Sequence, residues 1–389
     1  MVNSLSIFGN KQFQNMTISH FNTIVGQNLL LPVLPVLLQY KGFTETKIGF
    51  IMGITAASAL FIRPLVGRKV DTKGSRPAIL IGQLLFLLSI AGFLAATSFF
   101  EFFALRLLFG VALAFYGTGA VTFASSIGSG ENNASAIAMY TLVTMLGLGI
   151  SMGFSQIIFD VWGFDIIIIG SLLLLGIAIG VMKFRALPIK PSGGSERIPF
   201  MSVLKSPTLI GLTAGQFAAN FSFSAVFTFV PLAALAQDIH FYSMFFIAFA
   251  VSVVGSRFFV QDVNIKLGLK KTVIYACVTM LVSILLLIVN INPVVLVLSG
   301  CLFGIGFGVV FPTLVLLVIE HMDKSCRGTA LSILTAAGDI GVALATALLG
   351  GVAEHFGYAW LFLAAAVVLS LCTYCFYKIL NKASLECIE

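Results

Sequence analysis

Charged side chains are scarce in this sequence: Asp, Glu, Lys and Arg together make up 10% of the 389 residues. A soluble globular domain carries about 25%. Histidine is also rare, and its four copies are too scattered to predict a metal site. We find no Ser/His/Asp set in plausible positions, no HExxH motif and no Walker loop. We therefore expect neither an enzyme nor a bound cofactor.

Apolar residues are abundant instead. They account for 59% of the chain, and the mean hydropathy is +1.07. No soluble core of this size needs so much apolar surface, so we expect a lipid bilayer as the solvent. A crossing of about 30 Å takes roughly 20 helical residues. Twelve apolar runs are long enough, at residues 13–38, 46–67, 77–98, 102–126, 134–159, 164–186, 208–236, 241–264, 270–290, 294–319, 327–352 and 358–380.

The net charge of +7 is explained by topology rather than by nucleic-acid binding. With both termini placed in the cytoplasm, 17 of the 22 Lys and Arg residues fall in cytoplasmic turns or tails. Only Lys41 and Lys47 then lie outside. This bias follows the positive-inside rule and predicts a multi-pass protein of the cell (inner) membrane. None of the six cysteines falls in a predicted outer loop, so no disulfide framework is expected.

One long polar stretch, rich in Pro, Gly and Ser, divides the chain near its middle. We therefore predict an N-terminal six-helix bundle at 1–187, a cytoplasmic linker at 188–207 and a C-terminal six-helix bundle at 208–389. Residues recur at an offset of 194, which indicates that the two bundles are internal repeats. The matched positions include Arg63 with Arg257, Gly74 with Gly268, Arg76 with Lys270, and Gly110 with Gly304.

Charge is densest between Arg63 and Arg76, where Gly67, Asp71, Gly74 and Arg76 form the pattern Gly-x-x-x-Asp-x-x-Gly-x-Arg. We expect a tight basic turn here. The pattern resembles motif A of the major facilitator superfamily. That resemblance implies an all-α integral membrane protein with 12 transmembrane helices in two pseudo-symmetric six-helix halves. It also implies substrate binding between the halves and alternating access.

In the second half, motif A is degraded, because Gln261 and Ile265 stand where Gly67 and Asp71 would map. The resemblance further implies that Asp71 meets the start of the eleventh span and holds the halves together on the cytoplasmic side. We call this predicted contact the latch. A helix start would favour a carboxylate there. The alternative is an aspartate that the surrounding cations simply neutralise.

Three residues are candidates for proton coupling. Arg106, followed four residues later by Gly110, resembles motif B of proton-driven members; a snorkelling anchor that pairs with Glu101 is the alternative. Asp339 lies roughly 18 Å into the membrane from Arg327 and would carry a raised pKa, or else pack as a hydrogen-bonded carboxylate. His20 is the third candidate.

Polar and aromatic residues on the first and seventh spans are predicted to line the substrate cavity, as these helices do in the superfamily. Single members could equally serve packing alone. The candidates are His20, Gln27, Asn28, Gln216, Asn220, Phe223 and Phe227.

The predicted function is proton-coupled efflux of a small amphipathic drug or metabolite, such as a metallophore or siderophore. A monomer in the lipid bilayer is expected, with a small-molecule substrate and protons as its partners and no nucleic acid. Phe154 follows Gly149 and Gly153 where drug antiporters carry a proline, a departure from their pattern. The alternatives are an importer or facilitator of a small solute and, from other classes, a membrane sensor or a membrane enzyme.

Overall fold

The computed structural model describes residues 11–127, 131–184, 206–322 and 326–386, and these residues form helices joined by short turns. The helices are α1 (Lys11–Asn28), α2 (Val33–Tyr40), α3 (Glu45–Lys73), α4 (Ser75–Gly92), α5 (Phe99–Ile127), α6 (Glu131–Trp162), α7 (Phe164–Phe184), α8 (Pro207–Leu235), α9 (Ser243–Leu267), α10 (Leu269–Val289), α11 (Pro293–His321), α12 (Arg327–Phe356) and α13 (Tyr358–Glu386).

Twelve membrane spans follow from these helices, as the sequence predicts. The first span, Lys11–Tyr40, combines α1 and α2. A turn separates the two helices where Pro32 lacks the N–H group that a continuous helix needs and restricts the residue before it. The other eleven spans each lie within a single helix. The predicted all-helical, twelve-span fold is confirmed.

The basic stretch from Arg63 to Arg76 is helical for most of its length, so the predicted tight turn is wrong. Helix α3 continues to Lys73, and only Gly74, with φ of 84°, separates it from α4. Val66 and Val70, four residues apart, are buried on one face and keep the helix packed against α4 and α5. Charge does not end a helix whose apolar face remains buried.

The chain divides into two compact units. Unit 1 contains Met1–Leu37 and Ile54–Gly194, and unit 2 contains Leu38–Gly53 and Ser195–Glu389. Helix α3 therefore begins in unit 2 and continues in unit 1. The predicted linker at 188–207 falls almost wholly outside the described residues, and the predicted bundle boundaries stay predictions.

The internal repeat is visible in the contacts inside each unit. Arg76 donates hydrogen bonds from Nε to the Met182 carbonyl (3.2 Å) and from Nη2 to the Lys183 carbonyl (2.6 Å), at the end of α7. At the matching position of unit 2, Lys270 donates from Nζ to the Leu380 carbonyl of α13 (3.0 Å). In both units a cation thus binds the last helix of its own bundle near its C-terminal end, where the helix dipole favours positive charge.

A second matched contact joins α4 to α5 in unit 1 and α10 to α11 in unit 2. Ser89 donates to the Leu105 carbonyl at 2.7 Å, and Ser283 donates to the Ser299 carbonyl at 2.8 Å. Both pairs are offset by 194 residues, so the same polar tie recurs inside an apolar environment.

Close helix approach is also repeated. A Cβ atom on Gly110 would overlap the Thr55 carbonyl oxygen, and one on Gly304 would lie 2.6 Å from the Phe249 carbonyl oxygen. Thr55 and Phe249 are themselves offset by 194. At both positions only glycine permits the backbones to approach this closely.

We expect Gly110→Ala to destabilise the protein by about 1–3 kcal/mol, because the new methyl group must displace helix α3. The measurement is thermal unfolding of the purified protein in detergent. Gly117→Ala is the matched control, since it lies on the same helix with open space around its Cβ position. Equal midpoints for the two variants would contradict the close approach.

Candidate functional site

His20 is the centre of a buried polar cluster in unit 1. Its side chain is 1% exposed. Nδ1 lies 2.6 Å from the Tyr116 hydroxyl on α5, and Nε2 lies 2.7 Å from the Thr144 hydroxyl on α6. The Tyr140 ring stacks on the imidazole, with centroids 4.1 Å apart. Three helices therefore fix the histidine ring in position and orientation.

The hydrogen bonds around this ring can be counted. The Thr144 hydroxyl donates its one hydrogen to the Tyr140 carbonyl at 2.8 Å, so its oxygen faces His20 as an acceptor. A neutral ring satisfies both bonds when its Nε2–H donates to Thr144 and its Nδ1 accepts from the Tyr116 hydroxyl. A second proton on the ring, at Nδ1, would require the Tyr116 hydroxyl to turn from donor to acceptor.

Gln83 on α4 extends the cluster. Its Nε2 donates to the hydroxyls of Ser19 and Thr23, each at 2.9 Å, and Ser19 donates to the Ala178 carbonyl of α7 at 2.9 Å. The Gln83 side chain is fully buried, and its Oε1 atom has no hydrogen-bond partner among the described residues. Gln27 presents a second buried carbonyl oxygen of this kind. Unit 1 therefore has buried acceptor oxygens that could receive a donor group.

Asn28, another predicted residue of the first span, makes a different kind of contact. Asn28 is half-buried and donates from Nδ2 to the Ile24 carbonyl of its own helix at 2.8 Å. Its amide is therefore occupied locally, unlike that of Gln27.

Arg106 lies in unit 1 but not within the His20 cluster. Its guanidinium sits 5.2 Å from the Phe109 ring centroid, and the rings of Phe109 and Phe86 connect it to Tyr116. Arg106 is 3% exposed, whereas a snorkelling arginine keeps its head group accessible. Glu101, its suggested partner, accepts hydrogen bonds from backbone N–H groups at the start of α5.

The motif A residues have separate local roles. Gly74 supplies the positive φ between α3 and α4, and Arg76 binds the end of α7. Gly67 lies within α3, and a Cβ there would meet nothing within 4 Å. The Asp71 side chain lies outside the described residues, so the latch stays a prediction.

In unit 2 the predicted residues of α8 face a glycine of α12. A Cβ atom on Gly338 would lie 3.1 Å from Gln216 Nε2 and 2.9 Å from Asn220 Nδ2. Asp339, the next residue, is half-buried. Gln216 is buried, and its Oε1 atom has no hydrogen-bond partner in the described part of the chain. The structure thus brings Gln216 and Asn220 beside the helix segment that carries Asp339.

Phenylalanine dominates the same unit. Phe223 stacks on Phe227 with centroids 4.1 Å apart and on Phe307 at 4.6 Å. The ring cluster spans α8, α9 and α11, and its members are Phe223, Phe227, Phe245, Phe246, Phe249, Phe303 and Phe307. Sequence reasoning identified the first two. The others sit on helices that we did not assign to the cavity.

A polar contact that the sequence did not predict joins α3 to α12 and α13 within unit 2. The Tyr358 hydroxyl donates to Glu45 Oε1 at 2.8 Å, and the backbone N–H of Thr46 donates to Glu354 Oε2 at 3.1 Å. A Cβ on Gly350 would lie 2.5 Å from the Glu45 carbonyl oxygen. These contacts explain why the first turns of α3 group with unit 2.

Comparison with known proteins decides the family. The profile of the Major Facilitator Superfamily matches residues 16–264 and 212–385. The chain belongs to the major facilitator superfamily. It is therefore a multi-pass membrane transporter and not an enzyme.

Relatives and solved structures agree with this membership. An uncharacterized MFS-type transporter of Burkholderia pseudomallei (strain K96243) is 26% identical over 87% of this chain and 84% of its own. The staphylopine export protein of Staphylococcus aureus (strain Mu50) is 23% identical over 84% of this chain and 86% of its own. The nucleoside transporter NupG shares the fold, with a TM-score of 0.75, 15% identity and coverage of 95% and 99%. The human organic anion transporter MFSD10 also shares the fold, with a TM-score of 0.70 and 17% identity, over 94% of this chain and 99% of its own.

We expect Glu45 and Tyr358 to be energetically coupled by about 1 kcal/mol, because the half-buried phenol donates to a carboxylate. A double-mutant cycle with Glu45→Gln and Tyr358→Phe, read by thermal unfolding, measures this coupling. Strictly additive effects would show that the hydrogen bond contributes nothing to stability.

Proposed function

We propose that this transporter is a proton-coupled exporter of a small amphipathic drug or metabolite, which works by alternating access between two six-helix bundles. The observation that carries the proposal is the buried position of His20 between the Tyr116 and Thr144 hydroxyls. The direction and the class of cargo are supported separately, by a relative and by the chemistry of the side chains.

The contacts of the ring support a proton-binding role for His20. Its Nδ1 atom accepts from the Tyr116 hydroxyl, which can turn and accept a hydrogen bond from a protonated ring instead. The Tyr140 ring lies against the imidazole plane, and an aromatic face attracts a cation. Burial opposes the charge, so a proton bound here would be readily released.

Gain of a proton would alter a hydrogen bond between helices. A protonated ring needs an acceptor at both nitrogens, so the Tyr116 hydroxyl must turn its hydrogen away from Nδ1. This change rearranges the bond that connects α1 with α5. The protonation state of His20 would thereby bias the packing of unit 1, as coupling requires.

Export is favoured over import by the match to the staphylopine export protein, which extends over 84% of this chain. The cargo is expected to present an apolar or aromatic face and hydrogen-bond donors. Unit 2 offers phenylalanine rings and the acceptor oxygen of Gln216, and unit 1 offers the acceptor oxygens of Gln27 and Gln83. A metallophore or an amine-bearing drug has this character.

Asp339 is the second candidate for the proton, because it is half-buried in the middle of a spanning helix beside Gln216 and Asn220. Arg106 is assigned a supporting role, since aromatic rings separate it from His20. Both termini are assigned to the cytoplasm, the protein to the inner membrane and the monomer to the working unit.

Flux in proteoliposomes tests the proposal. Vesicles containing the full-length protein and a pH-sensitive dye are given a pH gradient and then a panel of amphipathic amines and amino-carboxylate metallophores, staphylopine among them. Export coupled to protons requires substrate-dependent proton movement that an uncoupler abolishes. Substrate flux without proton movement indicates a facilitator, and binding without flux indicates a sensor.

We expect His20→Gln to abolish proton movement while exchange of substrate across the membrane continues, because the amide keeps hydrogen-bonding capacity but cannot carry the proton. The same flux assay measures both, and His355→Gln, on an exposed histidine, is the control. Asp339→Asn is measured in parallel. If Asp339→Asn uncouples the protein and His20→Gln does not, the proton is carried by Asp339 and our assignment is wrong.

We expect Asp71→Asn to impair transport with normal membrane insertion, because the latch needs a negative charge. Transport rate and the amount of folded protein in the membrane are compared with those of Asp262→Asn. That control removes an exposed carboxylate from α9, in the degraded second copy of the motif. Normal transport by Asp71→Asn would remove the latch from the mechanism.

A further inference from the structure

Two adjoining clefts lie in unit 2 beside the connection between α9 and α10. The first has a volume of about 400 Å³, and its polar lining residues are Lys270, Lys271, Glu320 and His321. The second, of about 410 Å³, has a mainly apolar lining that includes Val260, Ile265, Pro312 and Leu316. Leu269 lines both clefts, so they lie side by side.

The backbone explains why space remains here. A single residue, Gly268 with φ of 78°, ends α9 and starts α10. Pro312 interrupts the hydrogen-bond ladder of α11, because proline has no N–H group. Close packing of α10 on α11 occurs deeper, where a Cβ on Gly306 would overlap the Ala276 carbonyl oxygen. The ends of the three helices leave the clefts unfilled.

The polar cleft suits an anion. Lys270 is held in place by its bond to the Leu380 carbonyl, and Lys271 beside it is exposed. Both occupy the first turn of α10, where the helix dipole disfavours cations and favours a negative ligand. His321 donates from Nδ1 to the Leu317 carbonyl, which leaves its Nε2 edge for another partner. Glu320 opposes only one of the two lysine charges.

The apolar cleft distinguishes a lipid from a soluble anion. Ile265 is 75% exposed and Leu316 is 43% exposed, so this cleft opens onto the outer surface of the span. A free phosphate would use the polar cleft alone. A glycerophospholipid fills both, with its phosphate beside the lysines and an acyl chain along the apolar lining.

We infer that the two clefts together form a binding site for one anionic glycerophospholipid. The site belongs wholly to unit 2, shares no residue with the His20 cluster and does not depend on the proposed cargo or on proton coupling.

Native mass spectrometry of the full-length protein in detergent tests this site. The probes are phosphatidylglycerol, phosphatidylcholine with the same acyl chains, and soluble glycerol phosphate. We expect phosphatidylglycerol to bind preferentially. Lys271→Gln should lower the affinity for phosphatidylglycerol about fivefold, which is equivalent to roughly 1 kcal/mol for one lysine at a membrane surface. Lys73→Gln, on an exposed lysine of unit 1, is the control and should bind phosphatidylglycerol as the wild type does.

Ile265→Gln tests the contribution of the apolar cleft. This variant should bind phosphatidylglycerol more weakly, because a polar side chain then replaces part of the acyl-chain lining. Equal binding of phosphatidylglycerol and phosphatidylcholine, or unchanged affinity in Lys271→Gln, overturns the site. Glycerol phosphate binding as tightly as phosphatidylglycerol, or Ile265→Gln leaving phosphatidylglycerol unaffected, shows a soluble anion as the occupant and overturns the lipid assignment.

Discussion

The hydrocarbon core of a bilayer offers no hydrogen-bond partners, and this constraint governs both the fold and the polar clusters of the protein. Backbone groups are satisfied within helices. Each polar side chain inside a span must then find its partner on its own helix or on a neighbour. Asn28 takes the first solution, and Ser89 and Ser283 take the second. The His20 cluster depends on the same constraint, since its hydroxyls have no water to receive their hydrogens.

The two units meet this constraint with different chemistry, although their helices repeat. Unit 1 concentrates hydroxyl, imidazole and amide groups around His20, whereas unit 2 contains a cluster of phenylalanine rings. The shared contacts, such as those of Arg76 and Lys270, lie near the helix ends. Repetition therefore preserves the contacts that hold the scaffold together, and the two units differ in their buried polar and aromatic clusters.

Sequence reasoning recovered what depends on local pattern. Apolar runs gave the spans, and the constant offset gave matched residues such as Gly110 and Gly304. It failed where partners come from different helices: nothing in the sequence indicates that Tyr116 and Thr144 meet His20. It also predicted a turn where α3 continues as a helix. We gave the dense charge of this stretch more weight than the pair Val66 and Val70, which is buried. Gln83 could have been identified as a candidate site residue, because it is a polar residue inside the predicted apolar span 77–98.

Helix α3 is anchored at two places that belong to different compact units. Its first turns are bonded through Glu45 and Thr46 to α12 and α13, while Thr55 and Ser58 donate to carbonyls of α5. Fewer than three helical turns separate the anchors. A bend of α3 that keeps both anchors intact must therefore fall on the few residues around Gly53.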